Sequence, residues 1–378
     1  MKKNCCFLLI MCVLALSCYK EVKNGDLLEI PVDIDQNFSL PLSEIADEII
    51  AITPELTDES LINPDRIKSV LLFEDYIIIA ELEKILVFNR DGKFVHAIGS
   101  VGQGPGEFNR VEDIALDNNH KCLYVINFDR RIICYDLMTG NYLKESPRIG
   151  TIIKDINYIN DELWLLAEQT ENDEKGYHRL SVFYQLNNEL QITDSVIIRR
   201  NYFVGQGFRI VNMRNSDVIL SGNSNFYVYC PEIIPDMSSL SIQFQANPAE
   251  VVLRDTLYRF ENNHLIPELK LKFKNNGIKA DGNMFIRLYS IYRSSRYIFS
   301  YYNNTLNKHY HHFCYDTKTG KGYNMQDGYT DDINSIEKRI DIRPFNLNTE
   351  IFYYWHTHMN PNDREEPNPT IYIGTLKK

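Results

Sequence analysis

The sequence has little positive charge and lacks the short motifs that mark common catalytic sites. Its 40 Lys and Arg residues are outnumbered by 51 Asp and Glu residues, so the 378-residue chain has a formal net charge of −11. Because phosphate binding needs a cluster of basic side chains, and the sequence has none, we expect no nucleic-acid partner. A Gly-x-Ser-x-Gly elbow is absent as well, which leaves a serine hydrolase without support.

Cysteine is scarce beyond the N-terminal segment, and its spacing does not suit a metal site. The cysteines that follow residue 18 are Cys122, Cys134, Cys230 and Cys314. They form no Cys-x-x-Cys pair, so a zinc site built on cysteine has no support. Cys122 and Cys134 could meet across neighbouring strands, but we expect isolated buried thiols.

The start of the chain is typical of an export signal. Lys2 and Lys3 precede an apolar stretch, residues 7–16, that is too short to span a bilayer. The stretch ends in Leu-Ala-Leu-Ser-Cys18, which resembles the lipobox of bacterial lipoproteins. In such proteins the cysteine is lipidated and becomes the new N-terminus, so the resemblance implies a lipid on Cys18. An ordinary secretory signal cleaved near Ser17 is the alternative.

These features divide the chain into three parts. We expect a lipoprotein signal peptide over residues 1–17, a lipid-anchored tether over 18–25 and a single domain over 26–378. No aspartate follows Cys18, so the inner-membrane retention signal of some Gram-negative bacteria is missing. We therefore expect an outer-membrane location, facing the periplasm or the cell surface, in which the lipid anchor is the only contact with the membrane.

Residues 98–108 form a glycine-rich stretch between two predicted strands. The stretch contains four glycines and Pro105, which favours a turn. A phosphate-binding loop would open a helix instead. We interpret the stretch as a junction between two blades of a β-propeller, and residues 204–208 echo it with Val-Gly-Gln-Gly-Phe.

Short apolar runs separated by turn residues repeat on both sides of this junction, and 24 Tyr and 19 Phe favour strands. Four antiparallel strands in a meander make one propeller blade. The first three units have predicted strands at 67–73, 76–81, 85–89 and 93–98; at 111–117, 122–127, 131–136 and 141–145; and at 151–158, 162–167, 179–186 and 191–198. The polar segment 168–177 is predicted to be a surface insertion.

The repeat is weaker in the second half of the chain. Predicted strands of the last three units lie at 208–213, 218–222, 226–230 and 251–260; at 265–273, 285–293, 297–303 and 310–315; and at 336–342, 351–356 and 370–376. The sixth unit lacks a fourth strand, which either 27–32 or 45–52 could supply. The sequence thus predicts an all-β, six-bladed β-propeller with four-stranded antiparallel blades, closed by an N-terminal strand pairing with the C-terminal blade.

Several segments resemble known propellers. Residues 99–108, followed by Ile-Ala-Leu-Asp117 and Leu-Tyr-Val125, resemble the NHL-type repeat. The lipobox, residues 42–50, Tyr-Asp-Thr-Lys-Thr-Gly320 and the closing residues 368–378 resemble the six-bladed β-propeller lipoproteins of Bacteroidota. This resemblance implies the fold and export, and it assigns no catalytic residue.

Two pairs of histidines are the weak candidates for a metal site. His309 and His311 alternate along a predicted strand, as do His356 and His358, so each pair shares a face. Zinc needs a further ligand, and no third ligand can be placed from the sequence. We expect solvated strand ends and no cofactor, with a metal ion in the central channel as the alternative. The acidic pairs at 331–332 and 365–366 are interpreted as loop charges.

These observations predict a binding or interaction module for a glycan, a peptide or an envelope partner. The alternative is a metal-dependent lyase or hydrolase that uses the central channel, since some NHL-type propellers, the peptide-amidating lyases, are enzymes. A structural component of an envelope complex is a third hypothesis.

Overall fold

The structure is a computed structural model that describes residues 27–173, 176–203, 219–222, 226–229, 255–279, 285–345, 349–358 and 367–378. Six small sheets form a ring, so the protein is an all-β, six-bladed β-propeller, as the sequence predicts. Cys18 and the echo at 204–208 lie outside the described residues. Among the residues described, no helix is both long and apolar enough to cross a membrane.

The chain enters the ring through three short elements and then builds the first three blades in order. The entry elements are β1 (Leu28–Val32), the one-turn helix α1 (Leu42–Ile45) and β2 (Ala46–Ile52), followed by a 3-10 turn at Pro64–Arg66. Blade one is β3 (Ile67–Phe73), β4 (Tyr76–Glu81), β5 (Ile85–Asn89) and β6 (Phe94–Ala97). The glycine-rich junction contains the parallel pair β7 (Ser100–Val101) and β8 (Glu107–Phe108). Blade two is β9 (Val111–Asp117), β10 (Cys122–Asn127), β11 (Ile132–Asp136) and β12 (Tyr142–Glu145). Blade three is β13 (Ile152–Ile159), β14 (Glu162–Asp173), β15 (Gly176–Leu186) and β16 (Ile192–Phe203).

The last three blades follow in chain order, with a 3-10 segment after blade four and a separate hairpin before blade six. Blade four is β17 (Ile219–Gly222), β18 (Phe226–Tyr229), β19 (Thr256–Glu261) and β20 (His264–Phe273), followed by a 3-10 segment at Lys274–Gly277. Blade five is β21 (Ile286–Arg293), β22 (Tyr297–Asn304), β23 (His309–Asp316) and β24 (Lys321–Gln326). A separate hairpin, β25 (Tyr329–Asp331) and β26 (Ile336–Ile340), precedes blade six, which contains β27 (Arg343–Pro344), β28 (Ile351–His356) and β29 (Thr370–Leu376).

The apolar core lies between neighbouring blades. In blade one, the middle strand β4 is buried along most of its length, because each blade packs a face against the blade on either side. Separate clusters of buried side chains join blades one and two, blades two and three, and blades three and four. Another cluster joins blade six to blade one through Tyr353 and Ile371 on one side and Ile77 and Phe88 on the other. Burial of this kind is the main stabilising contribution to a propeller.

Three predicted elements differ from the structure. Residues 168–177 are not a surface insertion, because β14 and β15 stay paired as far as Asp173 and Gly176. Residues 265–273 are the fourth strand of blade four, and blade five instead ends with β24. Residues 336–340 pair with β25, so the first strand of blade six is the two-residue β27.

Residues 28–52 run along the outer rim of three blades, and we call this segment the N-terminal belt. β1 pairs in parallel with β20 and becomes a fifth strand of blade four. Farther along, the Phe38 N–H donates to the carbonyl of Asn324 on β24 at 2.7 Å. β2 then pairs antiparallel with β29, so the N-terminal segment supplies the outermost strand of the blade that holds the C-terminus.

Cys122 and Cys134 lie on the adjacent strands β10 and β11. In the ladder Cys134 faces Tyr124 rather than Cys122, so the two thiols are diagonal neighbours, and they form a hydrogen bond with each other. Both are free thiols, as is Cys314. Burial raises the pKa of Cys134 to about 12, which keeps this thiol protonated and unreactive.

Candidate functional site at the channel mouth

The first strands of blades one, two, three and five carry a β-bulge at an equivalent position. In each, one extra residue has no partner on the second strand: Lys68, Glu112, Lys154 and Tyr289. The four segments share one pattern: an apolar residue comes first, then the extra residue, then Ser or Asp, and finally a second apolar residue. The segments are Ile-Lys-Ser-Val, Val-Glu-Asp-Ile, Ile-Lys-Asp-Ile and Leu-Tyr-Ser-Ile. A bulge redirects a side chain and commonly lies beside a functional site. We call the end of the ring where the first strands begin the mouth end.

In blades two and three the residue after the bulge is an aspartate. The Asp113 carboxyl hydrogen-bonds with the Asp155 side chain, and its Oδ2 accepts a hydrogen bond from the Ile156 N–H at 3.1 Å. Burial raises the pKa of Asp113, because removal from water disfavours the charged carboxylate. A hydrogen bond between two carboxyls needs a proton, so below the raised pKa the pair can share one and link the first strands of blades two and three.

A cleft opens between blades five and six. Its volume is about 130 Å³, which is below the roughly 300–1,000 Å³ of most small-ligand sites, so the cleft can admit only a small part of a larger ligand. Ser290, the residue after the bulge in blade five, lies in its wall. The other polar and aromatic side chains in the lining are Tyr292, Ser300, Tyr301 and His312 on one side and Tyr329, Asp341 and Arg343 on the other.

Two opposite charges, on Asp341 and Arg343, lie on one side of this cleft. The Asp341 carboxylate lies 3.6 Å from His312 Nδ1 and 3.7 Å from Arg343 Nε. The guanidinium of Arg343 also stacks on Trp355, 4.1 Å from the ring centroid, a favourable cation–π geometry. Burial lowers the pKa of His312 although Asp341 opposes the shift, so His312 is neutral at pH 7. The cleft therefore presents one negative and one positive group with no net charge.

A strip of tyrosines leads from the cleft to the solvent. Tyr301 packs against His312 with ring centroids 4.8 Å apart, and against Tyr310 at 5.6 Å with nearly parallel rings. Tyr289, the extra residue of the blade-five bulge, completes the strip at 5.4 Å from Tyr301. Tyr310 is 47% exposed, whereas His312 is buried, so the strip joins the surface to the interior of the cleft.

The structure places the first histidine pair away from this cleft. His309 and His311 pair with Asn304 and Tyr302 on β22, so both lie on the face opposite to His312. His309 is exposed at the strand end, as predicted. His311 is only 2% exposed and stacks on Tyr302 with centroids 5.2 Å apart, so the expectation of a solvated strand end is wrong for His311.

The second histidine pair lies in blade six. The rings of His356 and His358 are 4.7 Å apart, and His358 Nε2 shares a hydrogen bond with the Tyr372 hydroxyl at 2.8 Å. Burial and the neighbouring His358 lower the pKa of His356. Within the part of the chain that the structure describes, no three His, Cys, Asp or Glu side chains form a group able to hold a metal ion.

One acidic residue interpreted as a loop charge has a structural role. Asp331 is 2% exposed and accepts hydrogen bonds from the Tyr354 hydroxyl at 2.6 Å and from the Asn334 N–H at 2.8 Å. The prediction is therefore wrong for Asp331. Its neighbour Asp332 is exposed and accepts a hydrogen bond from the Ser43 N–H at 3.0 Å, which ties the β25–β26 hairpin to the N-terminal belt. The pair at 365–366 lies outside the described residues.

Sequence reasoning did not select His312, Asp341 or Arg343. His312 follows the alternating pair directly and therefore faces the other side of its strand. Asp341 and Arg343 lie in a segment whose pairing differs from the prediction. The sequence does contain one signal for the position of this site. The four-residue bulge pattern repeats in four blades and marks the mouth end in each of them.

Comparison with solved structures supports the fold. A crystal structure of a protein from Bacteroides fragilis NCTC 9343, described as a candidate exported protein, superposes with a TM-score of 0.64 at 16% identity, covering 93% of this chain and 100% of that one. At this identity the likeness shows the fold alone. The WD40 domain of Neurospora crassa Pan2 is more distant, with a TM-score of 0.39 at 9% identity over 84% of this chain and 78% of that one.

Sequence comparison gives the family and no activity. No curated protein matches the chain. A family model described as "Domain of unknown function (DUF4934)" matches residues 27–371, which include the N-terminal belt and the blades as far as the start of β29. This propeller therefore belongs to the DUF4934 family.

Proposed function

We propose that this chain is an exported lipoprotein, anchored in the outer membrane through Cys18, that binds its ligand in the cleft between blades five and six. The ligand is a glycan, a peptide or a partner protein of the cell envelope. The observation that carries the proposal is the cleft itself, where opposite charges of Asp341 and Arg343 and the exposed tyrosine strip converge at the mouth end. Ligand pockets combine aromatic walls with a few convergent polar groups in this way.

Two observations support the location. The Bacteroides fragilis neighbour is described as a candidate exported protein, and the first residues of this chain resemble a lipoprotein signal ending at Cys18. The resemblance to NHL-type propellers supports a binding role as well, because their loops present side chains at one end of a rigid ring.

Trp355 offers a direct test of ligand binding. The chain has two tryptophans, Trp164 and Trp355, so a Trp164→Phe protein reports on Trp355 alone. A ligand that reaches Arg343 alters the environment of the indole 4.1 Å beneath its guanidinium. Titration with neutral oligosaccharides, oligogalacturonate, a casein peptide digest and divalent metal ions should give a saturable change in emission with one of these classes.

The matched control is Asp341→Ala in the same background. Asp341 is about half exposed, so its removal should leave the melting temperature close to that of the parent and abolish the response. An emission change that persists in Asp341→Ala, or no saturable change with any class, would contradict the proposal. Saturation by metal ions alone would favour the lyase or hydrolase alternative.

A further inference from the structure

We infer that the cleft between blades five and six and the tyrosine strip beside it bind a neutral, hydroxyl-rich sugar chain, with one sugar ring on Tyr310 and the hydroxyl groups of another sugar unit of the chain on Asp341 and Arg343. The inference rests on the proposed function and names the ligand class of the same site. Three features of the site carry it: an exposed aromatic surface, a balanced pair of charges, and covered sheet edges on the surrounding blades.

The aromatic surface is the first feature. Tyr310 and Tyr301 are stacked at an interplanar angle of 11°, and Tyr289 lies 5.4 Å from Tyr301 and 6.2 Å from Tyr310. Tyr310 keeps 47% of its surface exposed, so its outer face is available to a ligand. A sugar ring has an apolar C–H face edged by hydroxyls, which matches a tyrosine that is apolar on its face and polar at its tip.

The charge balance is the second feature. The Asp341 carboxylate lies 3.6 Å from the neutral His312 ring and 3.7 Å from the Arg343 guanidinium, and both separations are longer than hydrogen bonds. The Asp341 carboxylate and the Arg343 guanidinium therefore keep capacity to accept and to donate hydrogen bonds. Sugar hydroxyls do both. An acidic ligand would meet Asp341 and a cationic one would meet Arg343, so a neutral ligand fits this cleft best.

The sheet edges are the third feature, and they bear on a peptide ligand. An extended peptide commonly binds by adding a strand to an exposed edge. The N-terminal belt occupies the outer rims of the blades around the cleft, since β1 pairs with β20, Phe38 donates to Asn324, and β2 pairs with β29. Strand addition at these outer rims is therefore restricted, whereas a sugar binds through its hydroxyl groups and ring faces and needs no free strand edge.

Affinity gel electrophoresis of the full chain tests the ligand class. The gels contain β-mannan, xylan, an α-glucan or polygalacturonate, and an empty gel gives the reference mobility. We expect at least one of the neutral polysaccharides to slow the wild-type protein and polygalacturonate not to slow it. Tyr310→Ala should weaken the retardation at least tenfold, whereas Tyr310→Phe, which keeps the ring, should retain it.

Phe128→Ala is the matched control. Phe128 is another exposed aromatic residue, in blade two, 59% exposed with the Arg110 guanidinium 4.7 Å above its ring, and its removal should leave the retardation unchanged. Retardation that survives Tyr310→Ala, or none with any neutral polysaccharide, overturns the inference. If Trp355 then responds to peptides, only the sugar inference fails; if it responds to metal ions alone or to nothing, the proposed function fails too.

Discussion

At the scale of single residues, the carboxyl pair of Asp113 and Asp155 is expected to make the stability of the folded ring depend on pH. Burial raises the pKa of Asp113, and the nearby charge of Lys68 opposes the shift only in part. An acid whose pKa is raised by folding stabilises the folded state below its ordinary pKa and loses that contribution as pH rises through the raised value. Asp113→Asn mimics the protonated form, so its melting temperature should increasingly exceed that of the wild type as pH rises from 4 to 9.

Asp316 provides a control of opposite sign. It accepts two hydrogen bonds from Arg296, at 2.9 and 2.7 Å, and this lowers its pKa to about 2. An acid with a lowered pKa stabilises the folded state above its ordinary pKa, so Asp316→Asn should be destabilised throughout pH 4 to 9. Equal destabilisation of Asp113→Asn at every pH in this range would show that Asp113 is ionised and that the shared proton is wrong.

At the scale of elements, a substitution in the glycine-rich junction tests how tightly blades one and two are joined. Gly99 has a φ of +64°, and an added Cβ would lie 2.7 Å from Phe108 Cε1 and 2.8 Å from the Tyr135 hydroxyl. Both neighbours are fully buried. Gly99→Ala should therefore lower the free energy of unfolding by roughly 2–4 kcal/mol in chemical denaturation, from backbone strain and overpacking together.

Gly150 is the matched control for this substitution. An added Cβ there meets no atom within 4 Å, and its φ lies outside the left-handed region. Gly150→Ala should change the free energy of unfolding by less than about 0.5–1 kcal/mol. Similar effects of the two substitutions would mean that the junction tolerates a side chain and does not fix the blades.

The same scale shows where sequence reasoning worked. Strand bounds in blades one and two agree with the prediction to within a residue or two, because turns such as the one at Gly92, with a φ of +80°, separate the apolar runs clearly. Residues 265–273 were assigned to blade five instead of blade four, because the sequence of a strand indicates how buried it is but not which strand it pairs with. Residues 336–340 have the same alternation as a blade strand, and only long-range pairing assigns them to a separate hairpin.

At the scale of the whole molecule, the N-terminal belt is expected to hold the ring together. The belt buries Ile30, Val32, Leu42 and Ile45 against the other blades. Burial of a large apolar side chain contributes roughly 1.5–3 kcal/mol, so deletion of residues 26–55 should lower the free energy of unfolding by more than about 5 kcal/mol. Thermal unfolding checks this, with deletion of residues 18–25 as the control. A truncated protein that melts like the full chain would refute this role.

The candidate site illustrates what a whole-molecule arrangement adds to a sequence. The six-bladed ring could be predicted from repeated strands and turns, whereas the cleft could not. Tyr301 and His312 belong to blade five, and Asp341 and Arg343 belong to a segment whose position depends on the packing of blade six against blade five. Such a juxtaposition comes from tertiary packing, which local pattern does not encode.

The belt also constrains the order in which parts of the chain can fold. β2, near the start of the chain, pairs with β29, whose last residue is Leu376. During synthesis or secretion the N-terminal end emerges first, and its partner strand is among the last segments to follow. Blade six therefore cannot assemble while the polypeptide is still emerging. Until then β2 presents an unpaired edge, which is a hazard for aggregation and a point at which a chaperone or a protease could act.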